Sequence, residues 1–141
     1  MNILYQTSAS ATGGRTGTAS VDDGSLTIAL VTPKELGGPG GEGANPEQLF
    51  ACGYAACFLS ALRFIAGRRK ISLSDDSKVT AQVGIGARPD GAGFSLDVAL
   101  SVSLPGLESE VAEDLLQEAH SVCPYSHLAR EGLDVRLSLA A

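Results

Sequence analysis

The sequence predicts an α+β protein whose elements follow the order βββαββαβ. Three observations support this class. The stretch 45–67 is framed by helix start and stop signals and holds no charged residue between Gln48 and Leu62. Apolar residues alternate strictly over 79–87 and 94–104, which indicates a long β-hairpin. Small, β-tolerant residues with turn signals precede the helix, and hairpins on both sides of a helix give antiparallel sheets, as in the α+β class.

Three strands are expected before the helix. The first covers residues 3–12, and Gly13-Gly14 then offers the positive φ angles that a two-residue hairpin turn needs. The second covers residues 15–21, with Arg15 at its first position beside the turn. The third follows a turn at 22–24, and its alternating apolar residues are Leu26, Ile28 and Leu30.

The central helix has a well-marked beginning and end. Asn45 can cap it, Pro46 suits the first helical position because it lacks an N–H, and Gln48 can complete a capping box. Gly67 supplies a stop signal. Because no face of the charge-free run suits water, we expect other structure to enclose the helix. A membrane span is not expected, since the run is shorter than the ~20 residues that a bilayer requires.

A second, amphipathic helix and a short strand are expected after the hairpin. Helical spacing of apolar residues covers 108–122, with acidic residues in the first turns, where the helix dipole favours them. Cys123 precedes Pro124 and is therefore expected at the end of this helix or at a kink. The alternating residues Val135, Leu137 and Leu139 predict a closing strand.

Length and charge limit the class of protein. A chain of 141 residues is long enough for one domain, expected over 1–141, and too short for two ordinary ones. A net charge of −6, with no basic cluster larger than 68–70, argues against nucleic acids and acidic membrane surfaces as partners. The first residues contain neither a basic nor an apolar signal segment, so we expect a cytoplasmic protein.

A glycine-rich loop leads into the central helix. Five glycines lie between Thr32 and Ala44 and leave the backbone weakly restrained. Their spacing fits neither a Walker loop nor a dinucleotide fingerprint, and Glu42 and Glu47 would repel a phosphate. The segment 37–44 is interpreted as a mobile flap over a site, with a plain linker as the alternative.

The three cysteines are expected to have different roles. An odd number without a Cys-x-x-Cys motif does not indicate a disulfide framework, and a free cysteine most often serves as a small buried apolar residue. Cys57 and Cys123 lie on two helical elements, where a reactive thiol and a resolving partner can meet. Cys52 lies about 500° around the helix from Cys57, on another face, so we expect it to be structural.

Three stretches together resemble one family. ATGGRTG at 11–17, NPEQLFACGYAACF at 45–58 and VCPYS at 122–126 are similar to the organic hydroperoxide resistance (Ohr) proteins of the OsmC-like superfamily. The stretches occur in the family's order and spacing, and the similarity covers essentially the whole chain. The resemblance implies an OsmC-like fold, in which antiparallel sheets wrap around a long buried central helix within an intertwined homodimer.

The resemblance also implies an activity and its residues. The protein would be a thiol peroxidase with Cys57 as the peroxidatic residue and Cys123 as the resolving one, and Arg15 with Glu47 would activate Cys57. The implied substrates are fatty-acid and other organic hydroperoxides, and lipoylated proteins are the implied electron donors. No cofactor is implied. An alkyl chain would need an apolar pocket, for which the candidates are Phe50, Phe58 and Tyr125, although ordinary core roles for these aromatic residues are equally open.

Helix geometry raises a question about Glu47. In a continuous helix, ten residues place Glu47 about 15 Å from Cys57, too far for one arginine to bridge comfortably. Either the helix breaks, with Gly53 as the obvious place, or Glu47 reaches the thiol of a second subunit. We predict the second arrangement, which makes a dimer obligatory for catalysis.

Two alternative functions remain open from the sequence. His120, Cys123 and His127, with Cys52 or Cys57, could form a tetrahedral zinc site, although the spacing fits no established zinc motif. A redox-sensing dimer that is oxidised without peroxidase turnover is the other alternative. Peroxide consumption in the presence of a dithiol separates an enzyme from a sensor.

Overall fold

A computed structural model describes residues 1–140. The chain divides into two compact units, the first of which is Met1–Phe50, while the second begins at Ala51. The antiparallel strands and the long helix predicted from the sequence are present, so the α+β class is confirmed. The prediction of a single domain stays a prediction.

The first unit contains a three-stranded antiparallel sheet in the order β1-β2-β3. Its strands are β1 (Ala9–Thr12), β2 (Thr18–Val21) and β3 (Thr27–Ala29). The first strand is shorter than predicted, because residues 3–8 form no ladder with another strand.

The turn between β1 and β2 differs from the predicted two-residue hairpin. Thr12 pairs with Thr18, which leaves a five-residue loop. Gly13 and Gly14 adopt the expected positive φ angles of 74° and 56°, but the chain then makes a 3-10 turn over Gly14–Thr16. The turn is closed by the Thr16 N–H, which donates to the Gly13 carbonyl oxygen at 3.2 Å. Arg15 therefore projects from a tight turn and not from the start of a strand.

The glycine-rich loop is fixed to the sheet at its two ends. The Val31 N–H donates to the Ala44 carbonyl at 2.9 Å, and the Ala44 N–H donates to the Ala29 carbonyl at 2.9 Å. A 3-10 turn, Lys34–Leu36, lies inside the loop. Whether the loop moves as a flap stays a prediction.

Helix α1 (Pro46–Arg68) begins with the predicted capping box. The Gln48 N–H donates to Asn45 Oδ1 at 2.9 Å, and the Asn45 N–H donates to Gln48 Oε1 at 3.0 Å. The helix continues one residue past the predicted stop at Gly67 and ends at Arg68. Lys70 takes the left-handed conformation with φ of 56°, and the Ile71 N–H donates to the Ala66 carbonyl at 2.8 Å, which closes a Schellman-type end.

The second unit contains the long hairpin and two further helices. The hairpin is formed by β4 (Lys78–Ala87) and β5 (Phe94–Ser103), paired over their full length as predicted. The helices are α2 (Ser109–Val122) and α3 (Pro124–Glu131). The buried apolar side chains of this unit come from α1, β4, α2 and the α2–α3 junction, and they are Tyr54, Phe58, Ala61, Leu62, Ile65, Ala66, Val79, Leu115, Ala119 and Cys123.

Among residues 1–140, α1 is the one helix long and apolar enough to cross a membrane by length and composition. The same properties belong to the core helix of a soluble protein, and Leu62 and Ile65 are fully buried within the second unit. In the single chain the opposite side of the helix is open, with Phe64 58% exposed. We therefore interpret α1 as a core helix with one uncovered face.

The predicted closing strand is absent. Residues 132–140 form no strand, and Val135, Leu137 and Leu139 are all exposed. Alternating apolar residues form a strand only when a neighbouring strand supplies hydrogen-bond partners, and no strand of this chain lies beside the segment within residues 1–140. The order of the elements is therefore βββαββαα.

Candidate functional site

Two of the three cysteines come together in the second unit. The Sγ atoms of Cys57 and Cys123 lie 3.6 Å apart, although 66 residues separate them in sequence. Cys57 is half-buried near the middle of α1, and Cys123 is completely buried between α2 and α3. A disulfide requires an S–S distance of about 2.05 Å, so the two sulfurs would need to approach by about 1.5 Å. The pair is thus a dithiol positioned for disulfide formation.

Cys123 occupies a junction that the sequence predicted only in part. As expected for a residue before proline, it leaves the helical region, with φ of −66° and ψ of 124°. Its N–H closes α2 by donating to the Ala119 carbonyl at 2.9 Å. Pro124 then starts α3 at the first helical position, where its missing N–H is not needed. Cys123 is therefore both the C-cap of α2 and the N-cap of α3.

The junction also supplies a hydrogen-bond donor to Cys57. The main-chain N–H of Tyr125, in the first turn of α3, donates to the Cys57 sulfur. The first N–H groups of a helix have no partner within it and lie at its positive end, so they favour an anionic sulfur. Sequence reasoning missed this donor because it is a backbone group. The Cys-Pro pair was the available signal, since proline is common at the first position of a helix.

Burial and hydrogen bonding shift the pKa of the Cys57 thiol in opposite directions. Burial raises its pKa most strongly, and the neighbouring Cys123 thiol raises the pKa further. The Tyr125 N–H lowers the pKa, but the net shift is upward. In this arrangement the neutral thiol is favoured, so a reactive thiolate needs an additional positive charge near the sulfur.

The first turn of α3 is attached to α1 by two tyrosines. The hydroxyl of Tyr54 and the hydroxyl of Ser126 form a buried hydrogen bond at 2.9 Å. The rings of Tyr54 and Tyr125 pack with their centroids 5.8 Å apart, tilted by 45°. A side chain at Gly53 would meet the Tyr125 hydroxyl, since a Cβ built there lies 2.8 Å from that oxygen. Gly53 therefore gives the Tyr125 ring room to lie against the helix.

We expect Gly53→Ala to destabilise the protein or leave its stability unchanged, although alanine is the better helix former. Glycine inside a helix costs roughly 0.5–1 kcal/mol relative to alanine. At Gly53 this gain is opposed by the contact with the Tyr125 ring. Gly67→Ala is the matched control, because no atom lies within 4 Å of a Cβ built at Gly67 in the same helix. Urea unfolding of both variants measures the difference, and equal stabilisation would contradict the assigned contact.

Arg15 and Glu47 form the expected bidentate pair in the first unit. Arg15 Nη1 lies 2.8 Å from Glu47 Oε2, and Nη2 lies 2.6 Å from Oε1. The hydrogen bond from Arg15 lowers the pKa of Glu47, and the same bond raises the pKa of Arg15. The pair is partly exposed, with 33% of the arginine and 12% of the glutamate side chain open to solvent. It holds the guanidinium in a fixed orientation, while its role in activating a thiol stays a prediction.

The three predicted substrate-binding aromatic residues have different surroundings. Phe58 lines an open groove of about 440 Å³ in the second unit, together with Tyr54, three side chains of β5 and residues of α2 and α3. Tyr125 is not part of this lining, and Phe50 belongs to the first unit. Substrate binding by Phe50, Phe58 and Tyr125 stays a prediction.

The residues of the alternative zinc site do not form a ligand cluster. Within residues 1–140, no group of three or more His, Cys, Asp or Glu side chains is arranged to hold a metal ion. The proline after Cys123 separates His120 on α2 from His127 on α3. Cys52 is exposed, whereas Cys57 and Cys123 contact each other.

Comparison with known proteins gives consistent matches over nearly the whole chain. The model of the OsmC-like protein family matches residues 38–138. An organic hydroperoxide resistance protein of Xanthomonas axonopodis pv. citri is 46% identical over 138 residues, covering 98% of this chain and 96% of the relative.

Solved structures match the fold equally well. The crystal structure of an organic hydroperoxide resistance protein OsmC from Legionella pneumophila matches with a TM-score of 0.87 and 49% identity, covering 99% of this chain and 100% of that one. The structure of OhrB from Bacillus subtilis matches with a TM-score of 0.82 and 39% identity, covering 98% and 100% of the two chains. The chain therefore belongs to the OsmC-like family and, within it, to the organic hydroperoxide resistance proteins.

Proposed function

We propose that this protein detoxifies peroxides as a thiol-dependent peroxidase that reduces organic hydroperoxides to alcohols. The observation that carries the proposal is the pair of thiols 3.6 Å apart at Cys57 and Cys123. The names of the relatives support the substrate class, because they are organic hydroperoxide resistance proteins at 40–46% identity.

The reaction cycle uses two thiols and one external dithiol. The Cys57 thiolate attacks the distal oxygen of ROOH, the O–O bond breaks, and the leaving alkoxide takes a proton to become the alcohol. Cys57 is left as a sulfenic acid. The Cys123 sulfur then attacks the Cys57 sulfur, water leaves, and a disulfide forms. An external dithiol reduces this disulfide and is itself oxidised, so two electrons reach each peroxide.

Arg15 is the cation that we propose for activating Cys57. Burial holds the thiol protonated, and a fixed guanidinium charge near the sulfur would favour the thiolate. The same group can stabilise negative charge on the leaving oxygen. Glu47, paired with Arg15 through two hydrogen bonds, orients the guanidinium.

A homodimer is part of the proposal. Helix α1 is continuous from Pro46 to Arg68, which supports the arrangement in which Glu47 reaches the Cys57 of a second subunit. Large apolar side chains are exposed in the single chain at both termini and on α1, and they are Ile3, Leu4, Tyr5, Phe64, Leu133, Val135, Leu137 and Leu139. A second copy that covers these residues would also complete the active site by supplying Arg15 and Glu47 to the Cys57 of its partner.

The finer assignments follow the family resemblance. The substrates are fatty-acid-type hydroperoxides whose apolar chains contact Phe50, Phe58 and Tyr125, the reductant is a lipoylated protein, and the compartment is the cytoplasm.

The test is steady-state reduction of cumene hydroperoxide or a fatty-acid hydroperoxide with dihydrolipoamide as the electron donor. We expect many turnovers per subunit, with monothiols at equal thiol concentration supporting less activity because a dithiol closes its own disulfide. Oxidation of the protein without turnover would identify a sensor instead. Stoichiometric zinc in the reduced protein would support the metal-binding alternative.

A further inference from the structure

We propose that Tyr54 and Ser126 are positioning residues for the peroxidatic site, because their buried hydrogen bond holds the first turn of α3 against Cys57. This inference rests on the proposed function in assigning the reactive thiol to Cys57. The bond would keep the Tyr125 N–H on the Cys57 sulfur and the Cys123 sulfur within reach of it.

The three contacts lie along one stripe of α1. Gly53 and Tyr54 precede Cys57 by four and three residues, which places all three on one helix face. Each contacts the start of α3: Gly53 meets the Tyr125 ring, the Tyr54 hydroxyl bonds Ser126, and the Cys57 sulfur accepts the Tyr125 N–H. Two neighbouring residues of α3 therefore bind to three positions of α1.

The hydrogen bond between the Tyr54 and Ser126 hydroxyls is buried, and it therefore fixes the relative position of the two side chains. Ser126 is fully buried and Tyr54 is 4% exposed, so water does not compete for either hydroxyl. A buried hydroxyl is costly unless it is hydrogen-bonded, and the bond fixes distance and angle in a way that apolar packing does not. Ser126 follows Tyr125 directly in α3, so a shift of Ser126 also shifts the Tyr125 N–H that reaches Cys57.

The hydrogen bond between Tyr54 and Ser126 would keep the Tyr125 N–H in place while the Cys57 sulfur changes from thiol to thiolate. An N–H held on the sulfur stabilises the thiolate that attacks the peroxide. The titratable group that acts on Cys57 from the same junction is Cys123, whose sulfur lies 3.6 Å from that of Cys57. The effect assigned to Tyr54 and Ser126 passes through Tyr125 and Cys123, so the two are positioning residues.

The test compares Tyr54→Phe, Ser126→Ala and the double variant by site-resolved alkylation of reduced Cys57 across pH. We expect alkylation of Cys57 near neutral pH to slow by about three- to tenfold in each variant, because a charge-assisted hydrogen bond is weakened. The alkylation profile should move to higher pH. Ser121→Ala is the matched control for Ser126→Ala, since Ser121 is exposed and its hydroxyl donates to the Gln117 carbonyl of its own helix.

Thermal unfolding separates positioning from support of the fold. Each single variant breaks the buried Tyr54–Ser126 hydrogen bond and should lower Tm, whereas the double variant removes both hydroxyls and should recover part of the loss. We expect slow alkylation to persist in the double variant despite that recovery. Variants that lose stability but keep the wild-type alkylation profile would overturn the proposal. Alkylation needs no peroxide, so a failure of hydroperoxide turnover in the wild type would count against the proposed function alone.

Discussion

Replacing Cys57 by serine is expected to lower kcat/KM for organic hydroperoxides by about three orders of magnitude or more, as for loss of a catalytic nucleophile. A serine hydroxyl cannot form a sulfenic acid, and it remains protonated at neutral pH. Cys123 cannot substitute, because it is completely buried behind Cys57. The measurement is peroxide consumption with dihydrolipoamide, with protein folding checked by circular dichroism.

The other two cysteines provide the internal controls for this result. Cys123→Ser should consume about one equivalent of hydroperoxide and then stall as a sulfenic acid that a dimedone reagent traps, because no second thiol lies beside Cys57. Cys52→Ser should retain wild-type activity, since Cys52 is exposed and sits on another face of α1. Full activity in Cys57→Ser, or loss of activity only in Cys52→Ser, would refute the assignment.

The parts of the fold that local chemistry determines were predictable from the sequence. Asn45 and Gln48 form the capping box that their spacing indicates, and the alternating residues of 79–87 and 94–104 form the expected hairpin. The prediction of a strand at Val135, Leu137 and Leu139 was wrong because a strand depends on a neighbour that the sequence pattern does not reveal.

Two side-chain contacts of the candidate site were predictable from the sequence, whereas its backbone contact was not. Cys57, Cys123, Arg15 and Glu47 were named from residue type and family resemblance, and the structure pairs the two cysteines and, separately, the two charged residues. Cys123 was expected at a helix end or at a kink, and α3 was missed because Pro124 also suits the first position of a new helix. The Tyr125 N–H was missed along with it.

Complementation between two inactive subunits is expected to restore about half of the wild-type activity. Arg15→Ala should by itself lower kcat/KM by about a hundredfold or more, because it removes the cation proposed to favour the thiolate and to stabilise the leaving oxygen. Arg15 and Glu47 are held together by two hydrogen bonds, so one subunit supplies both. If that subunit is the partner, a heterodimer of Arg15→Ala with Cys57→Ser contains one complete site.

A second heterodimer gives the opposite result and makes the test decisive. When a wild-type subunit is paired with an Arg15→Ala/Cys57→Ser double variant, its Cys57 faces a partner without Arg15. Activity per dimer should then be about half that of the Arg15→Ala homodimer, which contains two such sites. If Arg15 instead acted on the Cys57 of its own chain, the first heterodimer would be inactive and the second would keep half the activity. Both are made by co-expression with two different affinity tags, and the activity of each purified heterodimer is compared with the wild-type dimer. The sign of the difference between them decides whether Arg15 and Glu47 activate the Cys57 of their own chain or that of the partner.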